Sequence, residues 1–101
     1  MNRTSTRDFS YLVWNDLCSK VSEIRQAAGL SAWDTYAYGE LDDIKMSGSG
    51  EILTASRFNS VRNNLDGVRK SGIRTVYTGD VVKATYFTDL ANAINDAIKN
   101  L

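Results

Sequence analysis

Apolar side chains at Val13, Leu17, Val21, Ile24 and Ala28 recur at alternating steps of four and three, the stripe of an amphipathic helix. The spacing predicts a first helix over residues 6–28. Ser5 followed by Asp8 has the form of a capping box with aspartate in place of glutamate, and Gly29 suits the left-handed residue that ends a helix. Between residues 30 and 49 the helical period gives way to aromatics, glycines and an acidic pair. Short extended pieces are expected there, at 35–38 and 44–46, because a structureless loop of that length is unusual in a small domain. The period returns with Phe58, Val61, Leu65 and Val68, a second helix that Thr54 can cap and that ends near residue 71, with Gly67 weakening its last turn and Gly72 closing it. "IRTVYTGDVV" then alternates apolar and polar residues about Thr78, Gly79 and Asp80, the pattern of a small hairpin. A third helix over 84–100 buries Phe87, Leu90, Ile94 and Ala97 or Ile98.

The predicted fold class is mainly α: a small three-helix domain with short extended or hairpin segments preceding helices 2 and 3. A chain of 101 residues holds one modest core and one domain.

Two of these helices begin alike. Placing Gly50 on Gly79 sets "GEILTASRFNSVRNNLD" over "GDVVKATYFTDLANAIN". Glycine, an acidic residue, an apolar pair and alanine coincide ahead of the matched aromatics Phe58 and Phe87, which helical periodicity alone does not require. A partial copy, "WNDLCSKVSEI", sets Trp14 and Asn15 over Phe58 and Asn59, with Leu17, Val21 and Ile24 over Val61, Leu65 and Val68. The chain therefore divides into helical units at about 6–29, 50–71 and 79–101, with 30–49 as an irregular insert. Phe58 and Phe87 sit in the first turns of their helices, and with the matching Trp14 they are read as core anchors.

Composition narrows the chemistry. Twelve basic and twelve acidic side chains cancel, so no global field draws the chain to nucleic acid or to an anionic membrane. Arg57, Arg62, Arg69, Lys70 and Arg74 with Tyr77 make the following segment locally basic, but without a helix-turn-helix spacing nucleic-acid binding is disfavoured. No histidine is present, which removes the usual general base and the commonest metal ligand. Asp42 and Asp43 are adjacent, a poor geometry for an acid and base pair. In "KMSGSGEILTASRF", Lys45, Ser47 and Ser49 stand where a calcium loop needs oxygen ligands. The expectation is therefore no enzyme, no metal and no cofactor. The single Cys18 and a start without a signal-peptide core point to synthesis and folding in a reducing cytoplasm, and no apolar run is long enough to span a bilayer.

Asparagine is a poor helix former, so its recurrence on the last two helices at Asn59, Asn63, Asn92 and Asn95 suggests a contact surface. These four, with Asp42 and Asp43 of the acidic middle segment, are the candidate partner contacts.

The recurring unit is a glycine-led extended piece, then Thr-Ala or Lys-Ala, then Phe-Asn or Trp-Asn and an aliphatic stripe. It resembles modules repeated in structural proteins of tailed bacteriophages and prophages. The matching residues are Gly50, Ile52, Ala55, Phe58, Asn59, Val61 and Leu65, then Gly79, Val81, Ala84, Phe87, Leu90, Ile94 and Asn95, with Trp14, Asn15, Leu17 and Val21 from the partial copy. Thr88 replaces the asparagine in the last copy, and 30–49 matches nothing in the pattern. The resemblance implies a tail or baseplate-associated virion component that assembles with itself or with other virion proteins, made in the host cytoplasm and carried in the particle. The alternative expectation is a small phage-encoded inhibitor that engages a host protein through its acidic middle.

Overall fold

Thr54 is where the second predicted helix finds its cap. Its hydroxyl accepts a hydrogen bond from the Arg57 backbone N–H at 3.2 Å, satisfying one of the free donors at the helix start. In the computed structural model, which describes residues 11–34, 40–47, 53–77 and 79–101, four helices follow one another along the chain. They are α1 (Tyr11–Ala27), the single-turn α2 (Leu41–Ile44), α3 (Ala55–Asp66) and α4 (Ala84–Lys99). The described residues contain no strand, so the fold is mainly α, as the periodicity predicts. The predicted start of α1, the Ser5 and Asp8 capping box, the extended piece at 35–38 and the Gly50–Ile52 lead-in lie outside the described residues.

α1 packs on both α3 and α4, and more broadly than those two pack on each other. The core between them is built from Trp14, Leu17, Cys18, Val21 and Ile24 of α1, Phe58, Val61 and Leu65 of α3, and Leu90, Ile94 and Ala97 of α4. The predicted stripe of α1 holds at Leu17, Val21 and Ile24 and differs at its two ends. Trp14 is fully buried while Val13 is 45% exposed, and Ala28 lies at the surface. An indole offers far more apolar area than a valine, so burial of the ring at this end of the helix is the favoured choice.

The repeat is preserved in three dimensions. Leu17, Val61 and Leu90 occupy one buried position in their units, and Val21, Leu65 and Ile94 another. Trp14 and Phe58 are fully buried; Phe87 is half-buried, packing on the core with its ring centroid 6.4 Å from that of Trp14.

Described residues of the 30–49 segment contribute to the core. Trp33, Ile44 and Met46 are buried, and Leu41 packs against them. Ile44, expected in an extended piece, instead closes α2, which rests on α3. Gly29 adopts φ +83 as expected, ending α1. α3 stops at Asp66, sooner than predicted. There a Cβ at Gly67 would stand 2.7 Å from Nη1 of Arg25, whose guanidinium donates to the Asn64 carbonyl at 3.0 Å and the Ser31 carbonyl at 2.9 Å. Glycine at 67 leaves room for that arginine to tie α1 to the end of α3.

Candidate functional site

Asn15 and Asn59, matched in the repeat, do the same mechanical job. The Asn15 side-chain amide donates to the Met46 carbonyl at 2.7 Å and accepts from the Met46 N–H at 2.8 Å. The Asn59 amide donates to the Val76 carbonyl at 2.6 Å and accepts from the Val76 N–H at 2.9 Å. Each asparagine replaces the strand partner that an extended backbone would otherwise need. Each holds the run of chain that leads into the next long helix: Met46 precedes α3 and Val76 precedes α4. The preceding aromatic reinforces the first clamp, since Nε1 of Trp14 donates to the Ile44 carbonyl at 3.0 Å. In the third unit Thr88 takes the asparagine's place and is exposed.

The second lead-in is fastened along its length by one face of α3. Asp66 accepts from both the backbone N–H and the hydroxyl of Ser71, at 2.9 and 2.6 Å. Arg62 donates from Nε to the Ile73 carbonyl at 2.6 Å and pairs with Asp66 at 3.2 Å. Asn59 completes the series at Val76. Residues 59, 62 and 66 lie on a common helical face, so the strap runs back along α3.

This arrangement replaces the expected hairpin. "IRTVY" forms a strap that departs from strict alternation, with Ile73 and Val76 turned toward the core and Arg74, Thr75 and Tyr77 turned outward. Side chains of α3, not a second strand, satisfy its backbone. A turn does follow, with the Asp80 N–H donating to the Tyr77 carbonyl at 2.9 Å and Gly79 at φ +94, while Thr78 lies outside the described residues.

Arg74 and Tyr77 of the strap face the start of α4 across a cleft of about 370 Å³, lined also by Asp80, Val81, Lys83 and Tyr86. The Arg74 guanidinium lies 4.8 Å from the Tyr86 ring centroid and the Lys83 ammonium 5.8 Å from it. Tyr77 and Val81 are 76% and 68% exposed, two large apolar side chains held at the mouth of a cationic cleft.

Asn59 is withdrawn from the surface role expected of it, because its amide is buried and both its functional groups are engaged inside the protein. Asn63 is half-buried and accepts from Nη1 of Arg62 at 2.6 Å. Asn95 is exposed and accepts from Lys20 at 3.1 Å, bridging α4 to α1, and Asn92 is exposed. Asp42 and Asp43 are both exposed in the first turn of α2. The structure therefore does not gather the four asparagines into one surface. Asn64, another asparagine of this helix and not among the candidate contacts, is buried; it accepts from the Asp34 N–H at 2.7 Å and so pins the loop after α1. The signal for the clamps was present in the Asn that follows the aromatic in two copies, but its partners lie too far along the chain to be read locally.

Cys18 sits fully buried in α1, and its pKa is raised from 9.0 to about 12 by burial, opposed weakly by the charges of Lys45 and Arg57. The folded state thus holds the neutral thiol while the unfolded chain ionises above about pH 9. Its contribution to stability is complete below pH 9 and is lost as the pH climbs from 9 toward 12. A thiol reagent at pH 8 is expected to modify the native chain orders of magnitude more slowly than the chain in urea, because reaction waits on opening. Equal rates in both conditions would place the sulfur at the surface.

Comparison with protein-family models, with curated proteins and with solved structures finds no match to this chain.

Proposed function

We propose that this chain is a structural component of a tailed-bacteriophage virion, associated with the tail or baseplate, and that it acts by protein–protein assembly through repeated helical modules. The observation that carries this reading is the repeated aromatic and asparagine pair. Trp14 with Asn15 and Phe58 with Asn59 each belong to a unit whose asparagine clamps the chain a few residues ahead of the next unit. A clamp made to backbone N–H and C=O is indifferent to the side chains of what it holds, so the same device serves successive units of different sequence. Modules of this form resemble those repeated in phage structural proteins.

Mass spectrometry of purified particles tests the proposal. The chain is expected among the virion proteins, and its absence from particles together with a monomeric state at high concentration overturns the reading. A second reading, a phage-encoded inhibitor of a host protein, rests on the exposure of Asp42 and Asp43 in the acidic middle. It requires that Asp42→Lys with Asp43→Lys abolish host-partner binding while the helical circular dichroism is unchanged.

A further inference from the structure

The cleft between the strap and α4 combines cations unpaired among the described residues with exposed apolar side chains. Arg74 and Lys83 converge on the Tyr86 ring, and neither is matched by a carboxylate in an ion pair among the described residues. Tyr77 and Val81 stand exposed at the same opening. The strap that carries Arg74 and Tyr77 is held by Asn59, Arg62 and Asp66, so this surface is positioned before any ligand arrives. Asp80 is the one acidic residue that lines it.

The chain also carries the complement. Glu40, Asp42 and Asp43 are exposed on a turn whose inner side is anchored by the buried Ile44 and by Leu41 against the core. None of the three carboxylates forms an ion pair among the described residues. The single turn is closed by the Lys45 N–H donating to the Leu41 carbonyl at 3.0 Å, and Met46 beyond it is held by Asn15. With twelve charges of each sign on the chain, the attraction is between patches and not between net charges.

We infer that the Arg74–Lys83 cleft seats the acidic turn at residues 40–43 of a second copy, so that the chain associates with itself head to tail. The inference rests on the assembly reading above and names the partner. Carboxylates of one copy meet the guanidinium and ammonium of the next, with the exposed Tyr77 and Val81 beside them. Because the two patches differ, the contact is heterologous and generates a ring or an open filament rather than a closed pair. Screening weakens it, since the Debye length falls from about 10 Å at 0.1 M salt to about 3 Å at 1 M.

Sedimentation velocity on the full chain decides the matter. The parent is expected to associate at low salt and to dissociate in molar salt. Asp42→Lys with Asp43→Lys, or Arg74→Glu with Lys83→Glu, is each expected to weaken association roughly tenfold or more, with unchanged circular dichroism because all four positions are exposed. An equimolar mixture of the two charge-reversed chains restores association, since each then offers the other an opposite patch. A parent that stays monomeric at low salt, an association indifferent to both reversals, or a mixture that stays dissociated overturns the inference, as does a cleft that binds an acidic segment of another protein and never this chain. Presence in virions with indifference to the reversals removes this inference and leaves the proposed function standing. Charge-dependent association with absence from virions does the reverse.

Discussion

Replacing Trp14 by alanine is expected to destabilise the protein by about 3–5 kcal/mol, the largest effect of any single substitution proposed for it. The indole is fully buried where α1 meets the 40–46 segment, and its ring faces Phe87 of α4. Truncation opens a cavity and leaves the Ile44 carbonyl without the donor it has at 3.0 Å. Trp14→Phe separates the two causes. It keeps most of the apolar volume and removes the Nε1–H, so it is expected to cost about 1–3 kcal/mol. Urea unfolding followed by circular dichroism checks both, as a fall in midpoint at constant slope. Total stabilities are about 5–15 kcal/mol, so the alanine variant stands close to unfolding at room temperature. A Trp14→Phe chain as stable as the parent would show that the indole N–H contributes nothing and that shape alone fixes α2.

Asn59→Ala is expected to cost about 2–4 kcal/mol, more than its change in volume explains. The side chain is buried, and its loss strands both the N–H and the C=O of Val76, which have no strand beside them. Asn59→Asp is no remedy: the carboxylate still accepts from the Val76 N–H but places negative charge against the Val76 carbonyl, so a comparable or larger loss is expected. Asn15→Ala removes the matching clamp at a part-buried site, and roughly 1–2 kcal/mol is expected there. Thr88→Ala, at the equivalent but exposed position of the third unit, is expected to be neutral within about 0.5 kcal/mol. Hydrogen exchange gives the sharper reading. Protection of the Val76 amide should collapse in Asn59→Ala while that of Val61 and Leu65 in α3 falls only with global stability. If the Val76 amide remained as protected as in the parent, the strap would owe its position to Ile73 and Val76 packing and not to the clamp.

The same strap explains how far the candidate site could be read in advance. Alternation in "IRTVY" does not mark its two faces, since Ile73 and Val76, three residues apart, face the core while Tyr77 is exposed, and the pattern does not say what satisfies the backbone. A neighbouring strand was the expected partner; a helix face bearing Asn59, Arg62 and Asp66 is the actual one. Those residues were legible as polar positions of α3, and Asn59 was legible as a repeated feature. Their role was not, because an amide that clamps Val76 and an amide that awaits a partner protein have the same local sequence. Arg74 and Lys83 were likewise visible as charges, and only the fold brings both to Tyr86.

What the chain determines by itself is local and periodic. Thr54 at the start of α3, Gly29 at the end of α1, the buried stripes of α3 and α4 and the repetition of one unit follow from interactions spanning a few residues, where capping geometry and a period of about 3.6 leave few alternatives. What only the tertiary structure decided is which side chain reaches which distant backbone. The enclosure of Trp33, Ile44 and Met46, and the pairing of Asn15 with Met46 and Asn59 with Val76, join residues far apart along the chain. The physical reason is that a buried N–H or C=O must find some partner, yet any correctly placed amide will serve. Its identity is settled by how the helices pack, and the helices pack by the volumes of the side chains between them.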